Sequence, residues 1–175
     1  MVKKLNIVIS AFLLIFSTKP LSNQCYNNDL HKEDFARKEI ADEVDKLRIG
    51  VRERNIDLLS EIINFPFIVY TRGSNFVQLD DSKKTKLVIN SKEELAQNFE
   101  KIFKPAHKQF VECLTADNLT FKEYHGFFAA SGAIHFEDIV VDGCRKYALT
   151  VIHSNPDLFY SWMEDNNCYN TNPIP

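Results

Sequence analysis

The chain has 175 residues, with 24 Asp and Glu against 21 Lys and Arg, a formal net charge of −3 at pH 7. A nucleic-acid-binding surface needs a basic excess or stripe, and this mildly acidic balance supplies none. Lys83, Lys84 and Lys86 stand beside Asp80 and Asp81 and read as a solvated turn.

Lys3 and Lys4 precede an apolar run from Leu5 to Phe16, broken only by Asn6 and Ser10. This is the order of a secretory signal peptide, and the run falls short of the ~20 apolar residues that a bilayer span requires. Cleavage is expected between Ser17 and Gln24, leaving a periplasmic or secreted protein with no membrane span. Lipid attachment at Cys25 would want a small residue before it, where Gln24 stands. The expected partition is a signal peptide over 1–24, a polar leader over 25–33, one α+β domain over 34–155, and a tail with a short helix over 156–175.

Apolar Ala36, Ile40, Val44, Leu47 and Val51 recur at helical spacing in DFARKEIADEVDKLRIGVRERN, with Asp34 as N-cap and Gly50 weakening the last turn. Asn55 caps a second helix, IDLLSEIIN, which ends before Pro66. Proline disfavours helical geometry at the preceding residue, so Pro66 is expected as a hinge and first strand residue, with Phe67 to Tyr70 continuing the strand. FVQL, the turn DDSKKTK and LVIN form a hairpin. Ser91 with Glu94 makes a capping box for SKEELAQNFEKIF, which Lys104-Pro105 ends. QFVECLT, LTFKEYHGFFAAS, GAIHFEDIVV and KYALTVIHS then read as extended, with Asp142-Gly143 the strongest turn. The tail, NPDLFYSWMEDNNCYNTNPIP, carries a short helix that packs Phe159, Tyr160 or Trp162 onto the body. Helices gathered on one face of a mostly antiparallel sheet define an α+β fold.

Cys25, Cys113, Cys144 and Cys168 all lie beyond the signal, in a compartment where disulfides persist. Three pairings are open. Cys25 and Cys168 flank the body in similar polar stretches, which favours their pairing and leaves Cys113 with Cys144. Close Cys-x-x-Cys spacing, the usual zinc signature, is absent, so no metal is expected. No glycine-rich phosphate loop or nucleophile elbow occurs, and no cofactor is expected.

Residues 35–154 resemble the nuclear transport factor two-like superfamily, the cone-shaped α+β fold of ketosteroid isomerases, scytalone dehydratase and many non-catalytic domains. The carriers are RNIDLLSEIINFPFIV, SKEELAQNFEKIF, YHGFFAASGAIHFEDIV and KYALTVIHS. His135 stands where exported bacterial members are expected to carry tryptophan. The resemblance implies a curved sheet wrapped around the N-terminal helices, an apolar pocket between them, and room for a homodimer through the open sheet face.

General acid–base chemistry in such a pocket needs a titrating group within reach of substrate, which makes Asp138, His125, His135 and His153 the candidates. Strand alternation sets Asp138 on a face with Ile134, Phe136 and Val140, and His135 with Glu137 and Ile139 on the other. An Asp among apolar neighbours also reads as a structural group, satisfied by Arg145 or Tyr147 across the turn. His135 beside Glu137 fits a solvated face, His153 a strand-terminal surface position, and His31 and His107 have no context for chemistry. Small size, mild acidity and no catalytic motif favour a non-catalytic exported domain that binds a protein or peptide partner, as an inhibitor or immunity-type protein does. The alternative is an isomerase- or dehydratase-like enzyme, or a carrier of an apolar small molecule, with Asp138 or His135 as proton shuttle.

Overall fold

The computed structural model describes residues 32–70, 86–141, 143–153 and 157–168. The first segment is the helix α1, Glu33–Arg52. Its periodic residues Ala36, Ile40, Val44, Leu47 and Val51 are all buried. The cap differs from expectation: the N-cap is Lys32 with no side-chain bond, and Asp34 sits in the first turn, where its charge suits the helix dipole. Gly50 has a packing role, because a Cβ there would lie 2.7 Å from Cγ and Cδ2 of buried Leu59. The missing side chain lets α2, Ile56–Ile62, close onto α1. Asn55 caps α2 as expected, its Oδ1 accepting from the Leu58 N–H at 3.1 Å, worth about 1 kcal/mol.

Helix passes directly into β1, Ile63–Tyr70. Pro66 is therefore not the first strand residue. It lies where pairing slips between Ile63↔Leu149 and Ile68↔Val151, so its missing donor falls in a stretch without a ladder partner. β2, Lys86–Ile89, pairs antiparallel with β1; FVQL, the other arm of the expected hairpin, lies outside the described residues. Ser91 Oγ accepts from Glu94 N–H at 3.3 Å to open α3, Lys92–Ile102, and the Glu94 carboxylate accepts from Asn90 N–H at 2.8 Å.

QFVECLT is not a strand, because Pro105 opens a helix, α4, Pro105–Cys113, at the position where its missing N–H costs nothing. A short turn over Ala116–Asn118, capped by Thr115, leads to β3, Thr120–Lys122. β3 and β4, Gly126–Ala129, pair antiparallel, so the segment read as one extended stretch folds back at Glu123–His125. Gly126 makes this possible: at φ +95 it passes so close to the Phe136 carbonyl that no Cβ would fit. β5, Ile134–Val141, and β6, Cys144–His153, form the expected hairpin, with Val141 opposite Cys144.

The six strands among the described residues form one sheet in the order β2-β1-β6-β5-β4-β3, in which the β1–β6 pair is parallel and the other pairs are antiparallel. The molecule is α+β. Arg37 of α1 reaches over the Phe127 ring of β4 at 5.8 Å and donates to the Ala116 carbonyl at 2.6 Å, which ties the helix to one face of the sheet. Phe127, Ile134, Phe136 and Leu149 fill that face and are fully buried. α5, Asp157–Asp165, packs as expected, with Phe159 stacked on Phe110 of α4 at 4.8 Å.

The expected cysteine pairing is overturned. Cys113 ends a helix that packs against α5, and it bonds Cys168 across a Cα–Cα distance of 5.8 Å. Cys144 is also in a disulfide, while Cys25 lies outside the described residues. The proposed signal peptide likewise lies outside them; no described helix is long and apolar enough to cross a membrane.

Candidate functional site

Alternation along β5 separates the two acid–base candidates onto opposite faces. Asp138 faces the helix side with Tyr147, its cross-strand neighbour. Arg145, one pair further along the same face, donates from Nη1 to Asp138 Oδ2 at 2.9 Å. The Asp138 side chain is only 10% exposed, and its Oδ1 has no hydrogen-bond partner among the described residues. Burial, with the Asp138 charge adding to it, pushes the Tyr147 hydroxyl up to about 12. Tyr147 therefore stays protonated at any physiological pH. Asp138 and Arg145 form an ion pair set in the sheet beside an aromatic core, the structural arrangement weighed for them from sequence.

His135 lies on the other face. Its ring stacks on Phe128 of β4, centroids 4.0 Å apart and planes at 18°, because the two residues are directly opposite in the ladder. Nε2 donates to the His125 carbonyl at 2.9 Å and Nδ1 faces Glu137 Oε1 at 3.3 Å. With Nε2 held by the His125 carbonyl, the imidazole presents a flat face to its surroundings. It is not the solvated residue expected, since its side chain is 13% exposed. His125 contributes its carbonyl rather than its ring.

The stacked pair forms one wall of a groove of about 500 Å³. Thr120, opposite Phe128, and Lys122, two residues on and so on the same face, line it from β3. Lys122 Nζ stands 6.0 Å from the Phe128 ring centroid, within cation–π range. The end of the groove is the turn Ala130–Gly132 between β4 and β5. Its three residues have φ +49, +55 and +92, and the first two carry a Cβ in a region that L residues avoid. Trp162 of α5 completes the lining, its ring held edge-on by Phe110 at 5.2 Å.

Two further histidines are buried, His107, for which the sequence offered no signal, and the candidate His153. His107 of α4 is 1% exposed; its Nε2–H donates to the His153 carbonyl at 3.1 Å and its ring meets Phe159 edge-on. Burial pulls its basicity down to about 4, despite the hydrogen bond to the His153 carbonyl. His153 is buried rather than at the surface and stacks on Tyr70 at 4.9 Å. Among the described residues no three His, Cys, Asp or Glu side chains gather where a metal could be held.

No family model, curated protein or solved structure matches this chain. The groove residues Thr120, Lys122, Phe128, Ser131 and Trp162 were not among the sequence candidates. The only signal that could have found any of them was the Phe128–His135 opposition, which depends on register.

Proposed function

We propose that this chain is an exported, non-catalytic binding module of nuclear transport factor two-like build, recognising a protein or peptide partner as an inhibitor or immunity-type protein does. One observation carries the reading: the groove opens on the sheet face turned away from α1, while the acid best suited to shuttle a proton, Asp138, is bound to Arg145 on the other face. An isomerase-like site would need that acid, or His135, to meet substrate with a ring nitrogen or carboxylate oxygen free for transfer. Here the Asp138 carboxylate is paired with Arg145 on the face opposite the groove, and His135 Nε2 is committed to the His125 carbonyl with Nδ1 turned to Glu137.

The superfamily assignment draws support from the element order, two helices ahead of the first strand, and from a mixed sheet whose first and last strands pair in parallel. Export rests on Lys3, Lys4 and the apolar run that follows.

The test is native mass spectrometry of the unreduced mature protein from its host's extracytoplasmic fraction. A stoichiometric protein partner, rebinding when both components are purified and bound equally by Asp138→Asn, is the expected result. A small-molecule adduct with no protein partner, and a turnover that Asp138→Asn abolishes, would replace this reading with the enzymatic one.

A further inference from the structure

We infer that the groove beside Trp162 binds an aromatic carboxylate. This names the chemistry that the binding reading leaves open, and it rests on that reading.

Size and surface come first. About 500 Å³ lies within the range of sites that hold small ligands or a side chain with its flanking backbone. Phe128, Ala129, Ala130, Gly132 and Trp162 make the lining largely apolar. The stacked Phe128 and His135 rings offer a flat wall, and small residues at the turn leave room for a planar group against it.

Charge selects among planar groups. No carboxylate lines the groove, and its one formal charge is the Lys122 ammonium, drawn to the Phe128 face at 6.0 Å. Among the described residues, Lys122 makes no ion pair, and neither it nor the hydroxyls of Thr120 and Ser131 make a side-chain hydrogen bond. The polar side chains at the groove with free capacity are thus one ammonium, which can only donate, and two hydroxyls, which can donate or accept, beside an aromatic wall. They suit a ligand that joins a ring to an anionic acceptor. A single ammonium with two hydroxyls matches a monoanion, whereas phosphate recognition usually recruits arginines or several cations. The left-handed turn over Ala130–Gly132 brings Ser131 to the groove in a conformation that only its surroundings can hold.

The same chemistry occurs in free aromatic acids and at the C-terminus of a peptide ending in phenylalanine. The chain's single tryptophan, Trp162, lines the groove, so intrinsic fluorescence reports on the site directly. The purified protein is titrated with 3-phenylpropionate, 3-phenylpropionamide, and Ala-Ala-Ala-Phe with a free or an amidated C-terminus. At least one carboxylate should saturate the signal with about tenfold preference over its amide. Lys122→Gln, at an exposed strand position, should remove the preference and keep weak binding, and Phe128→Ala should remove both. A tighter free acid identifies a small-molecule source, and a tighter peptide identifies a protein C-terminus. Equal binding of acid and amide, no saturable binding, or a preference that survives Lys122→Gln overturns the inference. A protein partner captured equally by wild type and Lys122→Gln would overturn this inference while leaving the binding reading intact. Saturable acid binding with no protein partner would do the reverse.

Discussion

Lowering the pH should destabilise this protein through His107. The imidazole is 1% exposed, with Nε2–H bonded to the His153 carbonyl and Nδ1 lacking a partner among the described residues. Burial, with the Lys104 charge in support, lowers its pKa from 6.5 to about 4. In the unfolded chain the ring takes up a proton near the ordinary value. Between those two points the unfolded state therefore binds more protons than the folded state, and stability falls as pH falls through the window. The full difference is about 3 kcal/mol, of which about 2 kcal/mol is lost by about pH 5. Carboxylates titrate in the lower part of that range, so the comparison must isolate His107. His107→Gln keeps an N–H for the His153 carbonyl and removes the titration. Urea unfolding near pH 7.5 and near pH 5 should show wild type losing about 2 kcal/mol more than the variant, or about 5 °C in Tm. Equal losses in the two proteins would show that His107 takes up its proton alike in the folded and unfolded states, and the reasoning would fail.

Two other variants test the fold. Gly126→Ala puts a Cβ against the Phe136 carbonyl at a φ of +95, and should cost about 2–4 kcal/mol in chemical denaturation; a loss under about 1 kcal/mol would mean that the β4–β5 approach relaxes easily. Joint Cys113→Ser and Cys168→Ser opens a link between residues 55 apart, worth about 4 kcal/mol by chain entropy. The guanidinium midpoint should fall correspondingly, and a peptide map without reduction should join Cys113 to Cys168 in the wild type; a map joining Cys113 to Cys144 would refute the pairing.

Local interactions were legible in the sequence. The buried stripe of α1 follows from a spacing of three and four residues, and Asn55 and Ser91 cap their helices because the acceptor and the donor lie within three positions of each other. Ambiguity began where one local signal serves two structures. FVECL is a mainly apolar stretch, interrupted by Glu112, that suits strand or helix, and Pro105 can end one helix or open another; packing of Phe110 against Phe159 decides in favour of α4. The turn at Glu123–His125 lacks the usual loop residues apart from Gly126 at its edge, so two strands read as one. Alternation placed Asp138 and His135 on opposite faces, and the turn after β5 offered Arg145 or Tyr147 as a partner for the acid, of which Arg145 forms the ion pair.

Only the tertiary structure decided the rest. The cysteine pairing, the burial of His107 and His153, and the need for Gly50 each depend on contacts between segments far apart in the chain. The groove likewise draws Lys122, Phe128, Ser131 and Trp162 from separate elements, and strand register with the docking of α5 brings them together. Residue spacing records which side chains share a face of one helix or strand. Which faces meet is set by packing summed over the whole core, and no short stretch of sequence carries that sum.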